Sequence, residues 1–168
     1  MKLECGKEKL RWAVGITEKT TGKNLSLPVL SFVSLEAKGR SLRLSATNLD
    51  VGLSIELSAK VDKEGAAMVS GAVLSNFLTN LFRDEKVRLE MVGDNLTVGG
   101  AHNSGLIKTY SRDDFPSIPQ LTNGQTFDLP TASFLAGLKM VAYAAALSDI
   151  KPEIASIYLY NRDNEINL

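Results

Sequence analysis

Residues 27–44 read LPVLSFVSLEAKGRSLRL, and the way this stretch is taken decides the fold. It reads as two strands joined by a tight turn. Leu42, Leu44 and Ala46 share one face while Arg43 and Ser45 share the other, the period of two expected of a strand with one apolar side. The turn KGRS supplies Gly39 where a tight hairpin calls for positive φ. A single hairpin would carry little information, but this one returns twice. VRLEMVGDNLTV begins at Val87, and KPEIASIYLYNRDNEINL runs from Lys151 to Leu168.

The first and last copies align without a gap at a constant offset of 124. Leu3 meets Phe127, Leu10 meets Phe134, Val14 meets Leu138, Pro28 meets Pro152, Leu35 meets Leu159 and Leu44 meets Leu168. The middle copy aligns at an offset of 54, with Val33 on Val87, Leu35 on Leu89, Gly39 on Gly93 and Leu44 on Val98. Apolar positions fall on apolar positions throughout, the mark of an internal structural repeat.

Working outward, each hairpin follows a short strand and an amphipathic helix. The strands are expected at 2–5, 66–69 and 126–129, and the helices at 7–20, 71–82 and 131–146. Leu10, Ala13, Val14 and Thr17 form the apolar face of the first helix. Leu74, Phe77, Leu78 and Leu81 form that of the second, and Phe134, Leu138, Val141 and Ala145 that of the third. These are the spacings of helices laid on a sheet. The unit is β-α-β-β-β and the fold class α+β. Two units complete a first domain over 1–120, with DFPSIPQLTNGQT (114–126) as its exit and 121–125 as linker. A third unit opens at 126 and reaches Leu168 in mid-strand, so residues 126–168 are expected to be an incomplete second domain and the chain an N-terminal fragment.

Composition sets limits on function. The 168 residues carry 19 Lys plus Arg and 19 Asp plus Glu, which argues against a histone-like basic binder but leaves room for one basic face. The single cysteine, Cys5, allows no intramolecular disulfide and fits a reducing compartment. The N-terminus MKLECGKEKL has no apolar signal segment, and no apolar run is long enough to span a bilayer. A cytoplasmic protein is expected.

Catalytic constellations are missing. His102 is the only histidine and stands in the polar loop GGAHNSG, so zinc and Ser-His-Asp chemistry have no parts. Asp113 and Asp114 could pair as general acid and base, but with FPSIP following they read as a turn. Asp50 in TNLD reads as turn chemistry. Gly99 and Gly100 lack the spacing and the following helix of a phosphate loop. Cys5 reads as a small buried hydrophobe. No cofactor and no catalysis are expected.

Four segments, KNLSLPVLS, LSATNLDVGLSIEL, IKTYSRDDFPSIP and SDIKPEIASIYLY, together carry a resemblance to the bacterial DNA polymerase III β subunit, the sliding clamp. The resemblance covers the whole chain in the family's order. It implies the DNA clamp fold, three similar domains per subunit (the third absent here), helices on one face of antiparallel sheets, and a head-to-tail homodimer ring around duplex DNA. The implied function is that of a processivity factor in DNA replication, a non-catalytic subunit of the DNA-directed DNA polymerase holoenzyme. Implied partners are sequence-independent double-stranded DNA, the DNA polymerase III catalytic subunit, the clamp loader and other clamp-binding peptides. The alternative is a stand-alone clamp-like interaction domain or regulator that binds clamp subunits.

Carried over position by position, the resemblance implies DNA contacts at Lys23, Asn24, Arg83, Lys139, Ser148 and Lys151. It implies a subunit interface at Val73, Asn76, Phe77, Asn80, Ser104 and Ile107, with Gly105 and Ile107 standing where bulkier apolar groups can occur. Of the partner-peptide cleft it implies Ile154 alone. The chain departs from the family at Ala72, where some members have arginine, at Pro152 and Glu153, where some have aromatics, and at Trp12, which takes a place expected to hold a charge. A thin basic lining predicts feeble DNA binding by these 168 residues, confined to low salt.

Overall fold

The alternation in the opening stretch becomes two strands, β2 (Phe32–Lys38) and β3 (Ser41–Thr47), paired antiparallel with Leu35 opposite Leu44 and Ala37 opposite Leu42. Val33, Leu35, Ala37, Leu42 and Leu44 are buried, and Gly39 turns the hairpin at φ +59. The computed structural model describes residues 1–22, 27–81, 84–111, 115–119, 126–147, 151, 153–162 and 165–168. Among them the chain divides into two compact units, Met1–Gln120 and Leu121–Leu168.

The first unit runs β1 (Lys2–Gly6), α1 (Lys7–Lys19), β2, β3, β4 (Gly52–Lys63), then β5 (Gly65–Ser70), α2 (Gly71–Thr79), β6 (Lys86–Val92), β7 (Asn95–Gly99) and β8 (Ser104–Tyr110). A 3-10 turn, Pro28–Ser31, leads into β2. The eight strands close in the order β1-β4-β3-β2-β5-β8-β7-β6, all antiparallel, with β1 also bonded to β6. Two three-strand meanders, β2-β3-β4 and β6-β7-β8, are therefore joined by β1 and β5. Each joining strand pairs with its own meander on one side and with the other meander on its second side.

The helices form because their apolar residues recur at helical spacing. The buried residues of α1 are Leu10, Ala13, Val14 and Thr17, the face expected from sequence. Thr17 is tolerated in the core because its hydroxyl donates to the carbonyl oxygens of Ala13 (2.8 Å) and Val14 (3.1 Å). Ser70 caps α2 by accepting from the Val73 N–H. Asn80 ends it, its Nδ2 donating to the Asn76 carbonyl at 2.9 Å, so the helix stops before the expected residue 82. α1 and α2 lie side by side, α1 against β1–β4 and α2 against β5 and β8. Leu10, Val14, Leu74 and Leu78 fill one core with Leu3, Leu35, Leu44, Leu89 and Leu96.

The repeat is visible in strand register. The 54-residue offset carries the pair Leu35–Leu44 onto Leu89–Val98, which face each other in β6 and β7, and Gly93 turns that hairpin at φ +58. The 124-residue offset carries Ala37–Leu42 onto Asn161–Ile166, the pair formed by β9 (Tyr160–Arg162) and β10 (Glu165–Asn167).

The second unit departs from expectation in two ways. Its helix, α3, covers Thr131–Val141 and gives way to a 3-10 turn over Ala142–Ala144, short of the expected residue 146. Ala146 instead donates its N–H to the Ile154 carbonyl at 2.9 Å, which draws the chain off the helical path. Residues 126–129, expected as a strand, are not one: β9 and β10 pair with each other, and no other strand edge exists among this unit's described residues. Phe134, Leu138, Val141 and Ala145 are only half-buried, because one helix and a two-stranded hairpin have no second layer to enclose them.

Candidate nucleic-acid and pairing surfaces

The outward surface of the helices is set by what the core takes. With Leu10, Ala13, Val14 and Thr17 inward, α1 turns Glu8, Trp12, Gly15 and Lys19 out along one line, with Lys9 and Arg11 to its sides. Glu8 is held by Arg11 at 2.8 Å and Lys7 at 3.3 Å, and their hydrogen bonds, Arg11's first, lower its carboxyl below the usual glutamate range. α2 contributes no charged side chain to this surface. Ala72, where the family resemblance allows arginine, is exposed on it.

Of the residues expected to touch DNA, Lys23, Asn24, Arg83 and Ser148 lie outside the described residues. Lys139 is exposed in the last turn of α3, a place where a cation also complements the helix C-terminus. Lys151 is exposed, and its carbonyl oxygen accepts from the N–H groups of Ile154 (3.1 Å) and Ala155 (3.3 Å). Ile154 itself is 56% exposed.

The expected pairing face is made by α2 and the start of β8. Val73, Asn76 and Asn80 are exposed on α2, Phe77 is half-buried, and Ser104 is exposed at the head of β8. Along Ser104–Lys108, β8 is bonded to β7 on one side. On its other side it meets β5 only through Met68–Tyr110 and Val69–Thr109, so the stretch 104–108 presents a strand edge with no strand partner among the described residues. Ile107, expected at the interface, does not turn its side chain to the surface. It is 5% exposed and belongs to the core, and the residue this strand turns outward is Leu106, 69% exposed. Ser104 and Ile107 stand three residues apart and so leave the strand on opposite faces, Ser104 outward and Ile107 inward.

Gly105 and Phe77 form a unit that residue-by-residue reading did not find. A Cβ on Gly105 would stand 2.5 Å from Cε2 of the Phe77 ring, so the glycine is what lets the ring lie over the strand. Gly105→Ala should therefore cost about 1–3 kcal/mol in urea unfolding, as overpacking does. Adding Phe77→Ala should recover part of that loss, and additive effects of the two changes would contradict the contact.

Elsewhere the polar candidates serve structure. Asn48 Oδ1 accepts from the N–H groups of Asp50 (3.1 Å) and Val51 (2.8 Å), so TNLD is a side-chain-stabilised turn, with Leu49 held at φ +82. The buried Asp84 accepts from the Ala101 N–H at 2.7 Å, and a Cβ on Gly100 would fall onto its carboxylate. His102 is exposed, with Nδ1 3.9 Å from Asp84. Glu4 is bound by Lys86 (3.1 Å) and Arg88 (3.4 Å), whose hydrogen bonds, Lys86's first, lower its pKa. Asp113 and Asp114 lie outside the described residues. No metal-competent group of three or more His, Cys, Asp or Glu occurs among the described residues, and no helix among them is long and apolar enough to cross a membrane.

Comparison with known proteins sets this geometry in a family. Residues 1–119 match the family described as DNA polymerase III beta subunit, N-terminal domain. The beta sliding clamp of Synechococcus elongatus is 26% identical over 161 residues, which is 95% of this chain and 43% of that protein. The beta sliding clamp of Streptomyces coelicolor is 23% identical over 168 residues, 100% of this chain and 44% of that protein. Among solved structures, the DNA polymerase III beta subunit of Thermotoga maritima superposes with a TM-score of 0.79 at 26% identity, covering 88% of this chain and 40% of that one. Caulobacter crescentus pol III beta shares the fold with a TM-score of 0.88 at 21% identity, covering 99% of this chain and 45% of that one. The chain thus spans less than half the length of these relatives. With two β-α-β-β-β units closed into one α+β domain and a family match over 1–119, this chain belongs to the DNA polymerase III beta subunit family, through its N-terminal domain.

Proposed function

We propose that this chain is part of a sliding clamp, the processivity factor that tethers a bacterial replicative polymerase to duplex DNA. The observation that carries the reading is the family match over residues 1–119, the stretch that holds both β-α-β-β-β units. In this reading residues 1–120 are the first clamp domain, 121–125 a linker, and 126–168 the opening elements of a second. The role is mechanical and not enzymatic, and it is exercised in the cytoplasm. Two subunits pair head to tail, and the ring encloses DNA without reading its sequence. The exposed 104–108 edge, Val73, Phe77 and Leu106 form this chain's side of the subunit contact, extending a sheet by strand addition. Lys23, Asn24, Arg83, Lys139, Ser148 and Lys151 meet phosphates, contacts that fall off steeply with salt and allow sliding. Ile154 belongs to the cleft that receives partner peptides. The clamp loader and the DNA polymerase III catalytic subunit are the principal protein partners.

The test is topological. The full-length protein, loaded onto a closed circular plasmid by the clamp loader, should co-migrate with it through gel filtration at moderate salt. Cutting the circle once should release it. Equal retention on circular and linear DNA would overturn the ring and bring forward a small regulator that binds clamp subunits.

A further inference from the structure

The outward line of α1 holds an arrangement that enclosing a duplex does not call for. Trp12, the only tryptophan in the chain, is 59% exposed at the middle of the helix. It enters no ring stack and no cation–π contact among the described residues. One turn on is Gly15, where a Cβ would meet nothing within 4 Å, so the space beside the indole on its C-terminal side is open. One further turn on is the exposed Lys19. The 1.5 Å rise of a helix sets Trp12 and Lys19 roughly 10 Å apart along the axis, with the gap at Gly15 between them.

An aromatic face, an open shelf and a cation in a row make a platform for one unstacked base and its phosphate. The charge around it has the matching sign. On its exposed side α1 carries Lys9, Arg11 and Lys19 against Glu8, while Lys7 is mostly enclosed and donates its Nζ to the Leu81 carbonyl at 2.8 Å. Glu8 is neutralised by Lys7 and Arg11, and Glu18 lies where α1 meets α2, its Cβ 3.3 Å from a Cβ built on Gly71. The neighbouring α2 adds no carboxylate, in a chain whose formal charge is zero. Both faces of an interior base pair are covered by its neighbours, so away from a duplex end the indole stacks only on an unpaired base. The geometry points to α1 as a binding site for single-stranded nucleic acid, with Trp12 stacking on a base, Gly15 leaving room for it and Lys19 meeting a phosphate. The inference rests on the proposed reading as a clamp that encloses DNA and adds to it a contact on α1 with a preference for unpaired strands.

Because Trp12 is the sole indole, its fluorescence reports the site directly. The 168-residue chain, titrated at low salt with an oligothymidylate of about 12 nucleotides, should show quenching, and an equal-length duplex should quench less. Trp12→Ala should weaken binding of a fluorescein-labelled oligothymidylate, read by anisotropy, by about five-fold or more. Gly15→Leu keeps the indole but fills the shelf, and should reduce quenching at unchanged far-ultraviolet circular dichroism. Oligothymidylate binding that leaves the indole signal unmoved and tolerates Trp12→Ala would overturn the proposal. So would equal quenching by duplex, equal quenching by polyglutamate, or no binding at all. Retention of the full-length native sequence on circular against linear DNA is read separately, and the ring reading stands or falls on that result, whatever Trp12→Ala does to oligothymidylate binding.

Discussion

Replacing Leu44 with alanine should lower the unfolding free energy of the first unit by about 3 kcal/mol, while Arg43→Ala, one residue earlier, should change it by less than about 1 kcal/mol. The two side chains leave β3 on opposite faces. Leu44 has no exposure, sits between Leu35 and Ile55 on the neighbouring strands, and belongs to the cluster beneath α1 and α2. Truncating it removes burial and leaves a cavity walled on every side by packed neighbours. Among the described residues Arg43 is ion-paired to Glu56 at 3.3 Å, with both side chains about half exposed. Water screens such a pair, and holding two long side chains costs entropy, so little is lost with it. Urea unfolding followed by circular dichroism measures both variants. Comparable losses for the two would mean that the hairpin is shifted by one residue.

The second large effect concerns Cys5. Its side chain is 6% exposed in β1, between Ala59 and Val87, and burial first, then the charge of Glu4, pushes the thiol up to about 12 from 9.0. Thiolate is the reactive form, so at pH 8 a disulfide reagent should label the folded chain about 1000-fold more slowly than the urea-unfolded chain. The raised pKa also sets a sign for stability. Below about pH 9 both folded and unfolded states hold the proton and the contribution is fully present. Between about 9 and 12 the unfolded chain ionises while the folded one does not, so stability falls as pH rises. The urea midpoint should drop across that window in the native sequence and drop less in Cys5→Ala. Rapid labelling of the folded protein at pH 8 would show that β1 does not enclose the thiol.

The hairpins were legible in the sequence because period-two patterning and a turn glycine fix register together. Offsets found by matching letters reappear as paired residues in three places. The inner face of α1 was legible for the same reason, since one sheet covers it along its length. The helix ends in α2 and α3 were not, because they depend on the Asn80 amide reaching Asn76 and on a bond from Ala146 to Ile154, neither of which periodicity encodes. At the pairing face the exposure of Leu106 was not read from sequence, because a glycine at 105 weakens the alternation of a short strand. The platform on α1 was half legible. Trp12 stood out as an apolar group in a charged position, but the open space at Gly15 is a property of the folded chain.

The lacing of the two meanders governs how the first unit comes apart and together. Three-strand meanders form from neighbouring segments and need only short loops, which is quick. Strands β1 and β5 each finish a sheet begun by the other half, and Leu3 must find Leu89 across most of the first unit. That closure waits on both halves and is the slow event. Neither half then has a stable existence of its own, since losing either lacing strand exposes an edge on both meanders at once. The duplication visible in the sequence therefore did not produce two modules that can be cut apart, but a single cooperative body whose halves are each other's template.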